Sequence, residues 1–268
     1  MVAKALDKTI FTFPTICSNC SAGTAIAVLY KDDGSFDKYG YPDVPAHVFI
    51  NTSVIAKAPK EYFWAGVGDG ISKAPEVEHA VAAAVERGVE LPHTAVLGAA
   101  IAASSKDAFY KYGEQGIKDV ENGTVSKAIE EVALDIVVST GYASNLVNQD
   151  NFYYNSCHAH AFYNATTAIK KEKEPLHGQV VSFGVMVLHA YFNELEELKK
   201  VAAFNKKLGL PVTLEEIGLK VSDAEKITEL AMQTNEYKQT PFDKEKYIEA
   251  IKLADKMGSE NAQHFFKV

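Results

Sequence analysis

Hydrophobic and polar positions follow two different periods along this chain, and the change falls near residue 55. Thr9-Ile-Phe-Thr-Phe13, Ala25-Ile-Ala-Val-Leu-Tyr30 and His47-Val-Phe-Ile50 are short β-branched and aromatic runs. Pro14 stops the first and the turn Lys31-Asp-Asp-Gly-Ser35 ends the second, so three short strands are predicted. Val2-Ala-Lys-Ala-Leu6 reads as the last turns of a helix. From Ser53 onward apolar residues recur at helical spacing, predicting helices over 61–88, 93–121, 124–143, 158–172, 176–205, 222–236 and 244–266. Breaks fall at Glu90-Leu-Pro92, Gly123, Gly141, Pro175, Gly209-Leu-Pro211 and ahead of Pro241. Two regions emerge: a small α/β piece over 1–57 and an all-helical body over 58–268. There is no internal repeat and no low-complexity tract.

Composition narrows the class. With 268 residues, 47% of them hydrophobic and 23% charged, the chain can bury a core without a metal or disulfide staple. Its 27 basic residues against 35 acidic ones leave a net charge of −8. The basic residues sit beside acids, as in Glu194-Leu-Glu-Glu-Leu-Lys-Lys200, and form no stripe for a phosphate backbone. Nucleic acid is therefore excluded as an expected partner. No 18-residue apolar window predicts a membrane span, and the first twenty residues lack a signal-peptide pattern. Three cysteines, an odd and low count, point to a reducing cytoplasm.

Three places could carry chemistry. Cys157-His-Ala-His160 is followed seventeen residues after His160 by His177-Gly178. His158 and His160 lie about 200° apart on a helix, so only one can face a given site, and the spacing leaves open which. His160 and His177 would stand on adjacent helices joined by the polar link Lys170–Pro175, able to converge on one ion or to be buried, hydrogen-bonded imidazoles. In Ala65-Gly-Val-Gly-Asp69-Gly70 the glycines cost about 1 kcal/mol each in a helix interior. That suggests close packing or ligand access, or else a helix start with Asp69 as its N-cap. The third is Pro14-Thr-Ile-Cys-Ser-Asn-Cys20-Ser21, a polar loop after a strand, where α/β sheets bind ligands. Its Cys17 and Cys20 form a lone CxxC, which reads as two structural thiols rather than a zinc or redox motif. GxSxG, the P-loop motif and HExxH are all absent.

Together these segments resemble the iron-containing (group III) alcohol dehydrogenase superfamily, in its glycerol dehydrogenase-like branch. Phe11-Thr-Phe-Pro-Thr15-Ile-Cys-Ser18 is similar to the family's PTIAS segment, and Ala27–Tyr30 with Asp33-Gly-Ser-Phe36 to the strand and turn after it. Ile55-Ala-Lys-Ala-Pro59 with Ala65-Gly-Val-Gly-Asp69 is similar to AKAP…AGMGD. His160-Ala-Phe-Tyr-Asn164 with His177-Gly-Gln-Val-Val-Ser-Phe-Gly184 is similar to HAIHNG…HGExVAFG and is the most specific match. The resemblance implies the fold: an α/β remnant of a Rossmann-like nucleotide domain, then an all-α domain of dehydroquinate synthase-like architecture. It implies metal-dependent oxidation of an alcohol or polyol by hydride transfer to NAD. Asp69, His160 and His177 take the positions of the family's divalent-metal ligands, zinc ahead of iron. Thr15, Ser18, Thr24, Ile26 and Tyr30 match positions that contact NAD. A homo-oligomer is the implied assembly.

The sequence departs from the family in three places. Cys20 stands where the family carries a substrate-binding Asp, and a thiol cannot accept two hydroxyl hydrogen bonds as a carboxylate does, so an alcohol other than glycerol, an aldehyde or a hydroxy acid is expected. The stretch from Gly141 to Cys157 is longer than the family's approach to the first His and is expected to reshape the pocket. The chain also opens about a hundred residues into the family pattern, after the GGGK loop that cradles the NAD pyrophosphate, so weakened NAD binding and impaired turnover are expected. Two other readings compete. One is a non-catalytic, metal-binding or oligomer-forming helical module. The other is a dehydroquinate synthase-like enzyme, which needs basic residues for an anionic substrate; the helix carrying Asp69 shows little sign of them.

Overall fold

The computed structural model describes residues 1–32, 34 and 36–264, with side chains withheld at 36 and 261–264. Asp33 and Ser35 of the expected turn, and 265–266 of the expected last helix, lie outside the described residues. After a short helix α1 (Val2–Ala5), β1 (Phe11–Thr12) pairs in parallel with β4 (His47–Val48). Between them β2 (Ala27–Tyr30) and β3 (Phe36–Gly40) form an antiparallel hairpin. The expected strands are thus observed as shorter cores. β3 had no signal in the pattern, because Phe-Asp-Lys-Tyr-Gly carries little apolar alternation.

The helical body begins with α2 (Thr52–Ile55), where Asn51 Oδ1 accepts the Ser53 N–H at 3.0 Å as an N-cap. The helix expected over 61–88 is two: α3 (Lys60–Gly70) and α4 (Lys73–Glu86). Pro75 sits in the first turn of α4, where its missing N–H costs nothing; its ring clashes with a helical carbonyl four residues back, at Ile71, which places the break. Next come α5 (His93–Glu121) and α6 (Lys127–Leu134). A π-helical turn, Asp135–Ser139, joins α6 to α7 (Thr140–Val147), so the expected 124–143 helix is one interrupted rod.

α8 (His158–Thr166) ends earlier than expected, because Lys171 Nζ donates to the carbonyls of Thr166 at 2.7 Å and Ile169 at 3.3 Å. The expected 176–205 helix splits into α9 (His177–Tyr191) and α10 (Leu195–Leu208) at Asn193, whose φ of 58° is left-handed. The remaining helices are α11 (Ala224–Ala231), α12 (Asn235–Gln239) and α13 (Lys244–His264).

Helix α9 is the axis of the body. Val180 through Tyr191 are all buried, as a helix apolar on every side must be. It packs against α3, α8, α10 and α13. Glycines set the closest approaches. A Cβ on Gly178 would lie 1.7 Å from the Ala65 carbonyl oxygen, and one on Gly68 would lie 2.5 Å from the Gly178 oxygen. The residues beside these two glycines, Asp69 on α3 and His177 at the head of α9, are thereby held within reach of each other. Among the described residues no helix is long and apolar enough to cross a membrane.

Candidate metal centre and its cavity

Helices α3, α8 and α9 bring Asp69, His160 and His177 together. One ligand atom from each lies within 4.8 Å of the other two. His177 Nε2 is 3.0 Å from Asp69 Oδ1, and His160 Nε2 is 3.6 Å from the same oxygen. A tetrahedral ion with bonds of about 2.0–2.1 Å sets its ligand atoms roughly 3.3 Å apart, so the two distances straddle that value. Asp69 lies in the last turn of α3 and caps no helix, which corrects the N-cap alternative. The glycines around it serve close packing instead.

Behind the cluster stands Glu76 on α4, wholly buried. Its Oε2 meets His160 Nδ1 at 2.5 Å, and its Oε1 accepts the N–H groups of Cys157 and His160, each at 2.9 Å. A carboxylate at this place favours a proton on Nδ1 and leaves Nε2 directed toward Asp69, the orientation a ligand imidazole requires. Burial works to raise the Asp69 and Glu76 carboxyls, but the facing imidazoles outweigh it and hold both below the usual carboxylate range. Burial works to lower His160, and the Glu76 and Asp69 charges carry it upward instead.

His158 is elsewhere. Its ring lies 4.6 Å from Tyr191, 4.9 Å from Phe192 and 5.3 Å from Phe242, in the core. Burial pushes it down to about 3, so it stays neutral. The geometry thus answers which of the two histidines joins Asp69 and His177.

The cluster opens on a cavity of about 100 Å³. Thr24 and Ile26, two of the residues matched to NAD contacts, line it. Tyr30 reaches its rim through a 3.2 Å contact between its hydroxyl and that of Tyr163. Thr15 and Ser18 lie on the preceding loop, outside the lining. Cys17 is a core thiol, whereas Cys20 lines the cavity with its Sγ 3.9 Å from Ser144 Oγ, so the structural-thiol reading holds for only one of the pair. Burial raises the Cys20 thiol and keeps it protonated. Both cysteines are free. The stretch from Gly141 to Cys157 contributes Ser144, Tyr153, Asn155 and Ser156 to the wall.

Two residues escaped the sequence reading. Lys73, at the start of α4 and four residues after Asp69, lines the cavity, a basic group in a segment expected to show little sign of one. Glu76 orients His160. Asp69, Lys73 and Glu76 are spaced i, i+4 and i+7, the signature of one helix face, and that spacing was the available signal.

Two imidazoles and a carboxylate thus converge beside a small polar cavity, a donor set that could hold a metal ion. No family model matches. The chain is 30% identical to glycerol dehydrogenase from Thermotoga maritima over 96% of its own length and 71% of the relative's. It is 31% identical to glycerol dehydrogenase 1 from Schizosaccharomyces pombe over 84% of its own length and 49% of the relative's. The chain thus spans about half to seven-tenths of these curated relatives. The crystal structure of the S. pombe glycerol dehydrogenase superposes with a TM-score of 0.85 at 26% identity, covering all of this chain and 68% of that one. The chain belongs to the glycerol dehydrogenase family, a family of oxidoreductases.

Proposed function

We propose that this chain carries the metal-binding part of an NAD-linked dehydrogenase acting on a small alcohol. The observation that carries the reading is the convergence of Asp69, His160 and His177, with Glu76 fixing the imidazole from behind. The donor set of two nitrogens and one carboxylate suits zinc, and also suits iron. A divalent ion held there would act as a Lewis acid, lowering the pKa of a substrate hydroxyl.

The chain's own residues do the rest. Asp69 stays ionised and supplies one anionic ligand. Glu76 holds the His160 tautomer, and Gly68 with Gly178 sets the separation of the two helices. Tyr163 packs edge-on to the His177 ring, with centroids 4.2 Å apart, and limits its rotation. The small cavity admits a substrate of a few heavy atoms. Residues 1–57 are read as part of a nucleotide-binding α/β unit, in which Thr15, Ser18, Thr24, Ile26 and Tyr30 would contact NAD. Cys20 faces the substrate.

Metal content tests the reading. Plasma mass spectrometry of the purified chain after zinc reconstitution is expected to find close to one zinc per chain, and Asp69→Ala is expected to lose it. Absence of zinc in the parent chain, or an equal content in the variant, would overturn the reading.

A further inference from the structure

Lys73 is a cation buried in the cavity wall; its charge reaches Asp69, but no carboxylate among the described residues stands in ion-pair contact with it. It is 5% exposed, and its Nζ donates to the Asn155 carbonyl oxygen at 3.0 Å and to Asn155 Oδ1 at 2.9 Å. Both acceptors are neutral, and Lys73 forms no ion pair among the described residues. An ammonium has three donors, so one remains beyond these two contacts. Burying a cation whose hydrogen-bond acceptors are all neutral is costly unless an anion in direct contact balances it.

Two hydroxyls on the same wall share its condition. Ser72 Oγ and Thr140 Oγ1 both line the cavity, in residues 1% and 2% exposed. Neither has a hydrogen-bond partner among the described residues. Buried polar groups are nearly always satisfied, so an ammonium and two unpartnered hydroxyls around one space suit a ligand with several acceptor oxygens.

The nearby acids are committed elsewhere. Glu76 is held by His160 and two backbone N–H groups. Glu236, wholly buried, accepts from the hydroxyls of Tyr39 and Ser156 and from the Asn164 amide. Asp69 belongs to the cluster. Cys20, facing the cavity, offers only a weak sulfur acceptor to a neutral polyol.

We propose that Lys73, with Ser72 and Thr140, is a carboxylate subsite, and that the substrate is a short 2-hydroxy acid or its 2-oxo form. The proposal rests on reading Asp69, His160 and His177 as the place where the substrate hydroxyl is engaged. In a 2-hydroxy acid the hydroxyl and carboxylate stand on adjacent carbons, so their subsites must be neighbours. Asp69 at the end of α3 and Lys73 at the start of α4, four residues apart in sequence and lining the same cavity, meet that requirement.

Isothermal titration calorimetry with lactate and with 1,2-propanediol tests it, since the two differ only in a carboxylate against a CH2OH. The chain is titrated both zinc-loaded and stripped of metal, with zinc content measured separately. Lactate is expected to bind about tenfold or more tightly than the diol, as a charge-assisted contact in a buried site should allow. Lys73→Met should bring the two within about twofold, with zinc content and diol binding unchanged, while Lys73→Arg keeps most of the preference. No preference in the parent chain, or a preference that survives Lys73→Met, overturns the subsite. Should Lys73→Met fail to fold, Thr140→Val replaces it: lactate affinity must fall severalfold with diol binding unchanged, and equal lactate affinity overturns the proposal. Failure to bind zinc sinks the metal reading alone, because the metal-free titration still reads the carboxylate preference. Zinc bound without that preference sinks the subsite alone.

Discussion

Glu76 Oε2 stands 2.5 Å from His160 Nδ1, while Glu76 Oε1 accepts the N–H of that same histidine at 2.9 Å. One buried carboxylate therefore sets both the start of α8 and the direction in which the ring presents its second nitrogen. Glu76→Gln keeps the shape and removes the charge. Zinc affinity is expected to fall about 10–100-fold, the usual range for losing an outer-shell partner. Competition with a chromogenic chelator reads this, and an unchanged affinity would show that His160 is not oriented from behind.

Gly178→Ala tests the helix contact that brings two ligands together. The new Cβ would lie 1.7 Å from the Ala65 carbonyl oxygen and 3.0 Å from the Asp69 nitrogen, with no flexible side chain to yield. The expected cost is about 1–3 kcal/mol or more in stability, with reduced zinc content. Gly113→Ala on α5 is the control, since its Cβ would meet Phe204 at 3.4 Å and Val67 at 3.5 Å, close to ordinary contact. Thermal melts and metal content of the two variants should diverge; equal behaviour would remove Gly178 from the account.

His158 and His160 should separate cleanly. Both ring nitrogens of His158 lack hydrogen-bond partners among the described residues, inside an aromatic surround. Replacing an unsatisfied buried polar group by an apolar one of similar shape is near neutral or stabilising. His158→Phe is therefore expected to keep zinc and hold or raise the melting temperature, while His160→Ala loses zinc. Zinc loss in His158→Phe would contradict the assignment.

Asp135, in the π-helical turn, sets a pH dependence in which none of the three cluster residues takes part. Burial pushes its carboxyl up to about 7, with the Asp107 and Glu131 charges adding to the shift and Ser139 opposing it. In the unfolded chain an Asp titrates near 3.9, so between about pH 4 and pH 7 the folded state holds the extra proton. Its contribution to stability is present below that window and is lost as pH rises through it, by on the order of 1–3 kcal/mol after solvent screening. Asp135→Asn is expected to flatten this fall and to be the more stable protein at pH 8. Urea midpoints measured across pH 4–8 decide it; identical slopes in parent and variant would remove Asp135 as the source.

Much of the helical body was legible in advance, because α5 and the stripes around α9 follow a 3.6-residue period that needs only local sequence to be seen. The interruptions were not. Asn193 breaks a helix that propensity alone would continue, and the π-helical turn at Asp135–Ser139 has no breaker residue within it. β3 was missed because its residues carry charge and glycine where a strand pattern expects apolar alternation.

Sequence alone determined the kinds of residue available for the site: Asp69 among its glycines, two candidate histidines before one link and a third after it, and Cys20 on the polar loop after the first strand. It also implied the family, which the relatives bear out. The tertiary structure alone decided that His160 turns inward while His158 enters the aromatic core. It likewise decided that Glu76 braces His160 and that Lys73 faces the cavity with no carboxylate in ion-pair contact among the described residues. Helical period is a local property of backbone geometry, whereas convergence depends on where α3, α4, α8 and α9 cross and on how closely Gly68 and Gly178 let two of them approach. Those crossings are set by packing between residues as far apart as Asp69 and His177, and no local window contains them.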